Sequence, residues 1–291
     1  MPDYPTLAAR LTGQPDLYSA LISLGHAELA PLLAACDTDV AGRLGSVDQG
    51  LLRAILRAGS GLEAVEGAGA IAAYLAGVDV APMFDPAIGD GPSIALPTGG
   101  QRPDMPAFSD RTFDDWFAAM RVPYGIGLYG ENRSVYQTPQ FADRASPERR
   151  TVHLGIDVFA PAGTPVHAPL AGVVHSVVYN ADPLDYGHTL ILQHDGPAPF
   201  FTLYGHMGAS LPGLLAVGDR VTPGQVIAHF GDWDENGGWA AHLHFQVMTS
   251  MLEQRGGNFF GVGHKGLWPV WTQICPDPDL ILRLGAARFA L

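Results

Sequence analysis

Six short stretches between residues 151 and 248 alternate apolar and polar side chains and are separated by glycine and proline. In chain order they are TVHLGIDVF, GVVHSVVY, HTLILQH, FFTLYGHM, QVIAHF and HLHFQVM. Such alternation is typical of β-strands with one buried face. Their spacing and mostly short connections favour antiparallel pairing over alternating strand–helix units. The pattern therefore predicts a mainly antiparallel β domain that begins near residue 122.

The first 80 residues instead repeat apolar side chains at helical spacing. SVDQGLLRAILRAG offers Ser46 as an N-cap and Gly59 as a stop. SGLEAVEGAGAIAAYLAG offers Ser60 as an N-cap and Gly77 as a stop. We predict that one face of each helix is core, with these members: Leu52, Ile55, Leu56, Ile71, Tyr74 and Leu75. The predicted fold class is α+β, a helical N-terminal region followed by the β domain.

These changes of pattern divide the chain into four predicted parts. They are a helical N-terminal region (1–80), a Pro/Gly-rich connector with a short helix (81–121), the β domain (122–250) and a C-terminal extension packed on it (251–291). Within the β domain, GTPVHAPLAGVV and GDRVTPGQVI share a spacing of glycine, valine and a proline turn. This echo predicts a duplicated unit of the barrel-sandwich type, the duplicated hybrid motif.

The charge balance excludes several function classes. The formal net charge is −13 and Lys265 is the single lysine. Nucleic acids and anionic membranes attract clustered cations, so neither is an expected partner. A Schiff-base cofactor, a phosphate-binding G-K-[ST] loop and a biotinyl or lipoyl carrier each require a lysine in a specific setting, which GHKG does not provide.

The ends and the cysteines give further expectations. The first residues lack a basic segment followed by an apolar one, and no run approaches the ~20 apolar residues that span a bilayer. We therefore expect the chain as given to be cytoplasmic.

Cys36 and Cys275 are too far apart in sequence to form a disulfide framework or a four-sulfur metal site.

Two histidines one residue apart, in HLHFQV, require a shared explanation. On a strand, His242 and His244 point to the same face, with Cα atoms roughly 7 Å apart. In HLGID, His153 and Asp157 also share a face, and a carboxylate in an apolar strand is unfavourable unless it is paired or binds a cation. A straight strand would separate these two by roughly 13 Å, so we predict a bend at Gly155.

A fourth histidine, His206, ends the strand FFTLYGHM beside a loop. The three stretches together supply four histidines and one aspartate. A catalytic zinc uses about three protein ligands and leaves a position for water. Two histidines then remain to act on that water and on the developing oxyanion, which indicates hydrolysis. Chain order alone does not say which histidines are the ligands.

The order H-x-x-x-D, Y-G-H and H-x-H resembles the lysostaphin-type zinc peptidases over residues 150–248. This resemblance implies that His153, Asp157 and His244 bind one zinc ion, and that His206 and His242 are catalytic. It also implies an antiparallel β fold, and peptide substrates that are glycine-rich or derived from bacterial cell walls. A looser resemblance links RRTVHLGIDVFAPAGTPVHAP, ENGGWAAHLHFQ and CPDPDL to the middle segment of phosphotransferase/aminotransferase fusion proteins.

Several aromatic residues are candidate walls of a substrate groove. Trp233 and Trp239 lie in the segment that leads into HLHFQV, and Tyr129 and Tyr136 lie in LYGENRSVY. Asn132, in the same segment, is a further candidate for the groove. In some latent members of the resembled family an upstream asparagine fills the metal's open position, which is an alternative role for Asn132.

Two other functions remain open from the sequence. Two histidines and a carboxylate also form the triad of mononuclear Fe(II) oxygenases, although the usual H-x-[DE] spacing is absent. A non-catalytic or phosphocarrier domain on a similar fold would use a histidine pair, but it would have no need of Asp157.

Overall fold

The helices come mainly from the N-terminal part of the chain. The computed structural model describes residues 2–89, 92–136 and 138–284. Its α-helices are α1 (Tyr4–Ala9), α2 (Leu17–Ile22), α3 (Leu29–Ala35), α4 (Thr38–Gly45), α5 (Gln49–Gly59), α6 (Ala68–Gly77), α7 (Thr112–Ala119), α8 (Leu211–Leu214), α9 (Trp268–Ile274) and α10 (Asp279–Leu282). Short 3-10 turns cover Pro139–Phe141 and Lys265–Leu267. None of the helices found in the described residues is long and apolar enough to cross a membrane.

The strands form one large sheet and two small ones. They are β1 (Ser93–Ala95), β2 (Tyr124–Gly127), β3 (Val152–His153), β4 (Ile156–Phe159), β5 (Pro165–His167), β6 (Gly172–Asn180), β7 (Gly187–His194), β8 (Phe200–Met207), β9 (Arg220–Val221), β10 (Val226–His229), β11 (His242–Met248) and β12 (Val262–Gly263). The large sheet has the order β1-β2-β4-β11-β8-β7-β6-β9, and β10 pairs with β5 and β12 with β3. Only the β1–β2 pair among these is parallel. The α+β prediction is confirmed.

The predicted N-caps of α5 and α6 are wrong by two and seven residues. Helix α5 is capped by Asp48, whose carboxylate accepts a hydrogen bond from Leu51 N (2.8 Å), whereas Ser46 ends helix α4. Helix α6 begins at Ala68, well after Ser60. The Asp48 carboxylate is as good a cap as a serine hydroxyl, so the cap motif alone could not locate the start. The predicted stops at Gly59 and Gly77 are confirmed, as are the predicted core residues except Tyr74, which is only partly buried.

The sheet separates two apolar cores, because successive side chains of a strand point to opposite faces. On β7, Leu190 and Leu192 join one core, which also contains side chains from β5 and β10. Ile191 joins the other core, which contains the buried side chains of helices α1 to α5. The N-terminal helices therefore share their core with one face of the sheet.

The two segments of the internal echo pair with each other. Strand β5 pairs with β10 and strand β6 pairs with β9, both antiparallel. Each segment forms a strand, a turn and a second strand, and it contributes one strand to each pair. The two segments share a spacing because both form this unit.

The single strand predicted for TVHLGIDVF is two strands. β3 ends at His153 and pairs with β12, whereas β4 begins at Ile156 and joins the large sheet. The chain bends at Gly155, which confirms the predicted bend. A Cβ atom there would lie 2.6 Å from His244 Cε1 and 2.8 Å from Phe245 O, so only glycine lets β3 turn across the His244 ring.

Asp143 links the N-terminal helices to the C-terminal part of the chain. Its Oδ2 accepts hydrogen bonds from Tyr18 Oη (2.8 Å) and His264 Nε2 (3.1 Å), and its Oδ1 accepts from Ala145 N (3.0 Å). Burial acts to raise the pKa of Asp143, but the hydrogen bonds from His264 and Tyr18 outweigh it and the pKa is lowered.

We expect Asp143→Ala to lower the free energy of unfolding by about 2–3 kcal/mol at pH 7, because hydrogen bonds to a buried carboxylate are lost. A lowered folded-state pKa stabilises above the unfolded value of about 3.9, and this contribution disappears as pH falls through the folded pKa. The gap between parent and variant should therefore be constant near neutrality and shrink below about pH 4. Urea unfolding across this range measures it, with the exposed Asp195→Ala as control. A gap that widens on acidification would contradict the assignment.

Candidate functional site

Four strands bring the predicted polar residues to one end of the sheet. His244 on β11 lies directly opposite Asp157 on β4, so both side chains project from the same face. On the other side of β11, His244 lies opposite Gly205 of β8. The bend at Gly155 carries His153 back over this pair. The three side chains are all buried.

The three donor atoms converge on one point. His153 Nε2 lies 3.0 Å from His244 Nδ1. Asp157 Oδ1 lies 3.2 Å from His153 Nε2 and 3.1 Å from His244 Nδ1. His153, Asp157 and His244 form the candidate metal group found among the described residues. In a tetrahedral zinc site with bonds of about 2.0–2.1 Å, neighbouring ligand atoms are about 3.3 Å apart. The spacing of these three atoms fits such a site.

Hydrogen bonds on the far side of each ring determine which nitrogen carries a lone pair. His153 Nδ1 donates to Leu128 O (2.8 Å), because a carbonyl oxygen can only accept, and Nε2 is left unprotonated. His244 Nε2 donates to Gln246 Oε1 (2.9 Å), which leaves Nδ1 unprotonated. The Gln246 amide is oriented in turn by donating to Phe260 O (3.0 Å). Two lone pairs and a carboxylate that face one another require a shared cation or proton, and this donor set suits zinc.

The second carboxylate oxygen of Asp157 is held by Arg133. Arg133 Nη1 donates to Asp157 Oδ2 (2.7 Å), and Arg133 Nε donates to Glu131 Oε2 (3.1 Å). Burial alone would raise the pKa of Asp157, but His153 and Arg133 together hold it well below its usual range. Asp157 is therefore ionised, with Oδ1 directed at the two histidines.

His242 and His206 lie beside this group with their rings 4.2 Å apart between centroids. His242 Nδ1 donates to Ala240 O (2.7 Å) and His206 Nδ1 donates to Asn236 O (2.7 Å), so both Nε2 atoms keep a lone pair. Burial lowers the pKa of His242 to about 4, and burial together with His242 holds the pKa of His206 well below its usual range. Both rings are neutral at pH 7. His242 Nε2 is 4.0 Å from Asp157 Oδ1.

His206 reaches this site through an irregularity of β8. Regular alternation from Tyr204, whose side chain lies in the core with β5 and β10, would turn His206 to the face away from His244. The pairing with β7 shifts register between His188 and Leu190, and His206 has φ +66°. This left-handed residue redirects the imidazole, and such strain is concentrated at functional sites.

Tyr186 is a site residue that the sequence analysis missed. Its ring packs where a side chain on Gly205 would be, since a Cβ there would lie 2.6 Å from Tyr186 Cδ1. The Tyr186 hydroxyl lies 3.5 Å from His244 Nε2. The glycine of Y-G-H was the available signal, because a glycine inside a strand marks a close approach.

A cleft of about 290 Å³ opens over the histidines, and its walls are largely aromatic. Its lining residues all follow residue 107 in the chain, so the N-terminal helices do not line it. Trp239 and Tyr136 of the predicted groove residues are among the lining. The other aromatic lining residues are Phe108, Phe141, Tyr186, Phe259 and Phe260.

Three predicted groove residues do not line the cleft. Trp233 packs among other aromatic side chains and donates to Asp114 Oδ2 (2.6 Å). Tyr129 donates to Cys275 O (2.6 Å) and packs on Trp268. Asn132 is exposed and forms a β-bridge with Val152, which turns it away from the metal group. The next residue, Arg133, lines the cleft and contacts Asp157.

The comparisons with known proteins concern the same segment. Residues 151–256 match the family model described as peptidase family M23. The uncharacterized lipoprotein YgeR of Escherichia coli is 36% identical over 94 residues, which cover 32% of this chain and 33% of that protein. The chain thus spans about a third of the length of this curated relative.

Two solved structures resemble the chain over part of its length. A zinc-containing peptidase from Vibrio cholerae has 31% identity and a TM-score of 0.29, over 34% of this chain and 28% of that one. The catalytic domain of lysostaphin from Staphylococcus simulans has 23% identity and a TM-score of 0.33, over 53% of this chain and 96% of that one.

Proposed function

We propose that this chain, whose residues 151–256 belong to peptidase family M23, is a zinc-dependent peptidase that hydrolyses an amide bond. The observation that carries the proposal is the convergence of two histidine lone pairs and one carboxylate oxygen at 3.0–3.2 Å beside two neutral histidines. A structural zinc site would have a fourth protein ligand, whereas three converging donors leave a position open, as in catalytic sites. The additional pair, opening into a cleft, is suited to proton transfer.

His153, Asp157 and His244 would hold one zinc ion. Zinc in such a site supplies Lewis-acid chemistry towards water and towards the amide carbonyl. Arg133 keeps Asp157 ionised and oriented, and Gln246 fixes the tautomer of His244. Partners of this kind typically change metal affinity about 10–100-fold.

His242 and His206 would move the protons. Each is neutral and presents Nε2, so each can accept a proton from the attacking water and return one to the leaving nitrogen. The imidazolium formed in between donates a hydrogen bond to the oxyanion. Their backbone acceptors, Ala240 O and Asn236 O, hold both rings in place during the transfer.

The proposed partner is a peptide, with glycine-rich and cell-wall peptides as the first candidates. Seven aromatic side chains line the cleft and offer apolar surface along which a peptide chain can pack. The net charge of −13 disfavours nucleic acid and anionic membranes.

An Fe(II) oxygenase is the second candidate, since the same three donors suit iron. The two neutral histidines beside the donors favour hydrolysis, because an oxygenase has no evident use for both. A phosphocarrier would leave the buried Asp157 without a function.

We expect protein purified without added metal to contain about one zinc per chain. A chelator should abolish hydrolysis, and added zinc should restore it, because the three donors are the metal's protein ligands. Elemental analysis and a screen of glycine-rich, cell-wall and D-amino-acid peptides provide the test. One iron per chain with oxygen-dependent turnover would favour the oxygenase. Failure to bind zinc at low micromolar concentration would favour the non-catalytic alternative.

A further inference from the structure

The Tyr136 hydroxyl lies near Arg133, but one hydrogen-bonding group of the guanidinium has no partner at hydrogen-bond distance among the described residues. The Arg133 side chain is 4% exposed. Nη1 binds Asp157 and Nε binds Glu131, but Nη2 is buried without a hydrogen-bond partner among the described residues. A buried donor left unpaired typically costs about 1–3 kcal/mol, and more when it is charged. Such a group marks a place where a ligand acceptor is expected.

The Arg133 side chain that carries this donor lines the cleft together with Asp157, His242 and His244. Once a dication shares Asp157 with the arginine, the buried groups carry a net positive charge. An anionic group of the substrate would neutralise it, and a guanidinium fork suits a carboxylate particularly well.

Basic and acidic side chains line different parts of the cleft. Arg133 follows β2, which lies beside β4, and Asp182 and Asp185 precede β7, on the far side of β11 and β8. Arg150 also lines the cleft, with its guanidinium 5.0 Å above the centroid of the Phe260 ring. The metal group therefore lies between Arg133 and the two aspartates. A peptide would lie across it with its carboxyl end towards Arg133.

We propose that Arg133 Nη2, assisted by Arg150, binds the free α-carboxylate of the substrate, so that the enzyme prefers the amide bond next to a free C-terminal residue. This inference rests on the proposed peptidase function. The carboxylate carbon of a C-terminal residue is separated from the scissile carbonyl carbon only by the amide nitrogen and one Cα atom. A site that holds the carbonyl at the metal group therefore places the carboxylate close to Arg133, whose Nη1 touches the ligand Asp157.

The reaction is an ordinary hydrolysis. Water oxygen bonds to the carbonyl carbon and the C–N bond breaks. One water proton passes through a histidine to the leaving nitrogen, and the products are a shortened peptide acid and a free amino acid. Arg133 takes no proton in these steps and acts on binding and position.

The test uses pairs of probes that differ only at the C-terminus. N-acetyl-pentaglycine as the free acid and as the carboxamide are compared for hydrolysis, with the released residue identified by mass spectrometry. N-acetyl-glycylglycine acid and its amide are compared for binding to the zinc-loaded protein by calorimetry. We expect the parent to prefer the acid by at least about 10-fold, the lower end of what hydrogen bonds to charged groups supply.

Arg133→Gln should reduce this preference to about 2-fold or less, and Arg150→Gln should weaken it without affecting zinc content. Arg149→Gln is the matched control, because Arg149 precedes Arg150 but donates to Thr138 O and does not line the cleft. It should keep the full preference. The Arg150 variant decides the question if Arg133→Gln fails to retain zinc, since Arg150 has no contact with Asp157.

Three results would overturn the inference. They are equal binding of acid and amide by the parent, a preference that survives both arginine substitutions, and an Arg133→Gln loss confined to kcat that is equal for acid and amide. The last would make Arg133 a transition-state donor. Absence of hydrolysis with any peptide, while the acid is still bound through Arg133, would instead reject the peptidase and retain the carboxylate site.

Discussion

Asp157→Ala is expected to remove the bound zinc and to lower the free energy of unfolding of the metal-free protein by about 3–5 kcal/mol. Zinc is lost because one of its three proposed protein ligands is gone. Stability is lost for a different reason. The substitution leaves the Arg133 guanidinium buried with Glu131 as its remaining charged partner.

The two effects can be separated by a second substitution. In Asp157→Ala combined with Arg133→Met, the buried guanidinium is absent and the 11% exposed Glu131 loses its ion pair, so most but not all of the stability should return while zinc binding does not. Glu131 keeps its hydrogen bond from Thr98 N (2.6 Å) in both variants. Urea unfolding in the presence of a chelator measures stability, and elemental analysis at saturating zinc measures metal content.

Asp195→Ala, an exposed acidic residue, serves as the control and should match the parent in both measurements. An Asp157→Ala protein that still holds one zinc per chain would refute the ligand assignment. A double variant no more stable than the single one would refute the account of Arg133.

The selection of His153, Asp157 and His244 as one group came from the resemblance to lysostaphin-type peptidases, whereas the residue pattern alone predicted shared strand faces. The period of two along a strand puts His242 and His244 on one face, and the distance argument required the bend that Gly155 provides. What the pattern could not supply was the register that sets His244 opposite Asp157, because register depends on contacts between distant segments.

The sequence did not predict the burial of Arg133 or the orientation of His206. Arg133 lies 24 residues before Asp157, in a segment without periodicity, and nothing local indicates that its charge is buried. His206 was expected at a strand end, but its orientation depends on a register shift and a left-handed φ. The burial of Arg133 and the orientation of His206 both arise from tertiary contacts, so they could not be predicted from residue patterns.

His242→Ala is expected to keep about one zinc per chain and to lose turnover by about 10²–10⁴-fold, the usual contribution of a general acid–base group. The imidazole is not among the three converging donors, since its Nε2 is 4.0 Å from Asp157 Oδ1. Its Nδ1 is occupied by Ala240 O, and its low pKa keeps Nε2 free to accept a proton at neutral pH. Removing it therefore leaves the metal group intact and takes away the proton acceptor.

The measurement is steady-state hydrolysis of whichever peptide the screen identifies, with zinc content determined on the same sample. If His242 acts only in the transition state, kcat and kcat/KM should fall together while KM changes little. His229→Ala is the matched control, because His229 lies on β10 outside the cleft lining and should leave turnover unchanged. His242→Ala protein that hydrolyses the peptide as fast as the parent would exclude His242 from proton transfer and would leave His206 as the remaining candidate. Loss of zinc in His242→Ala would place His242 among the ligands, contrary to the lone-pair geometry of His153 and His244.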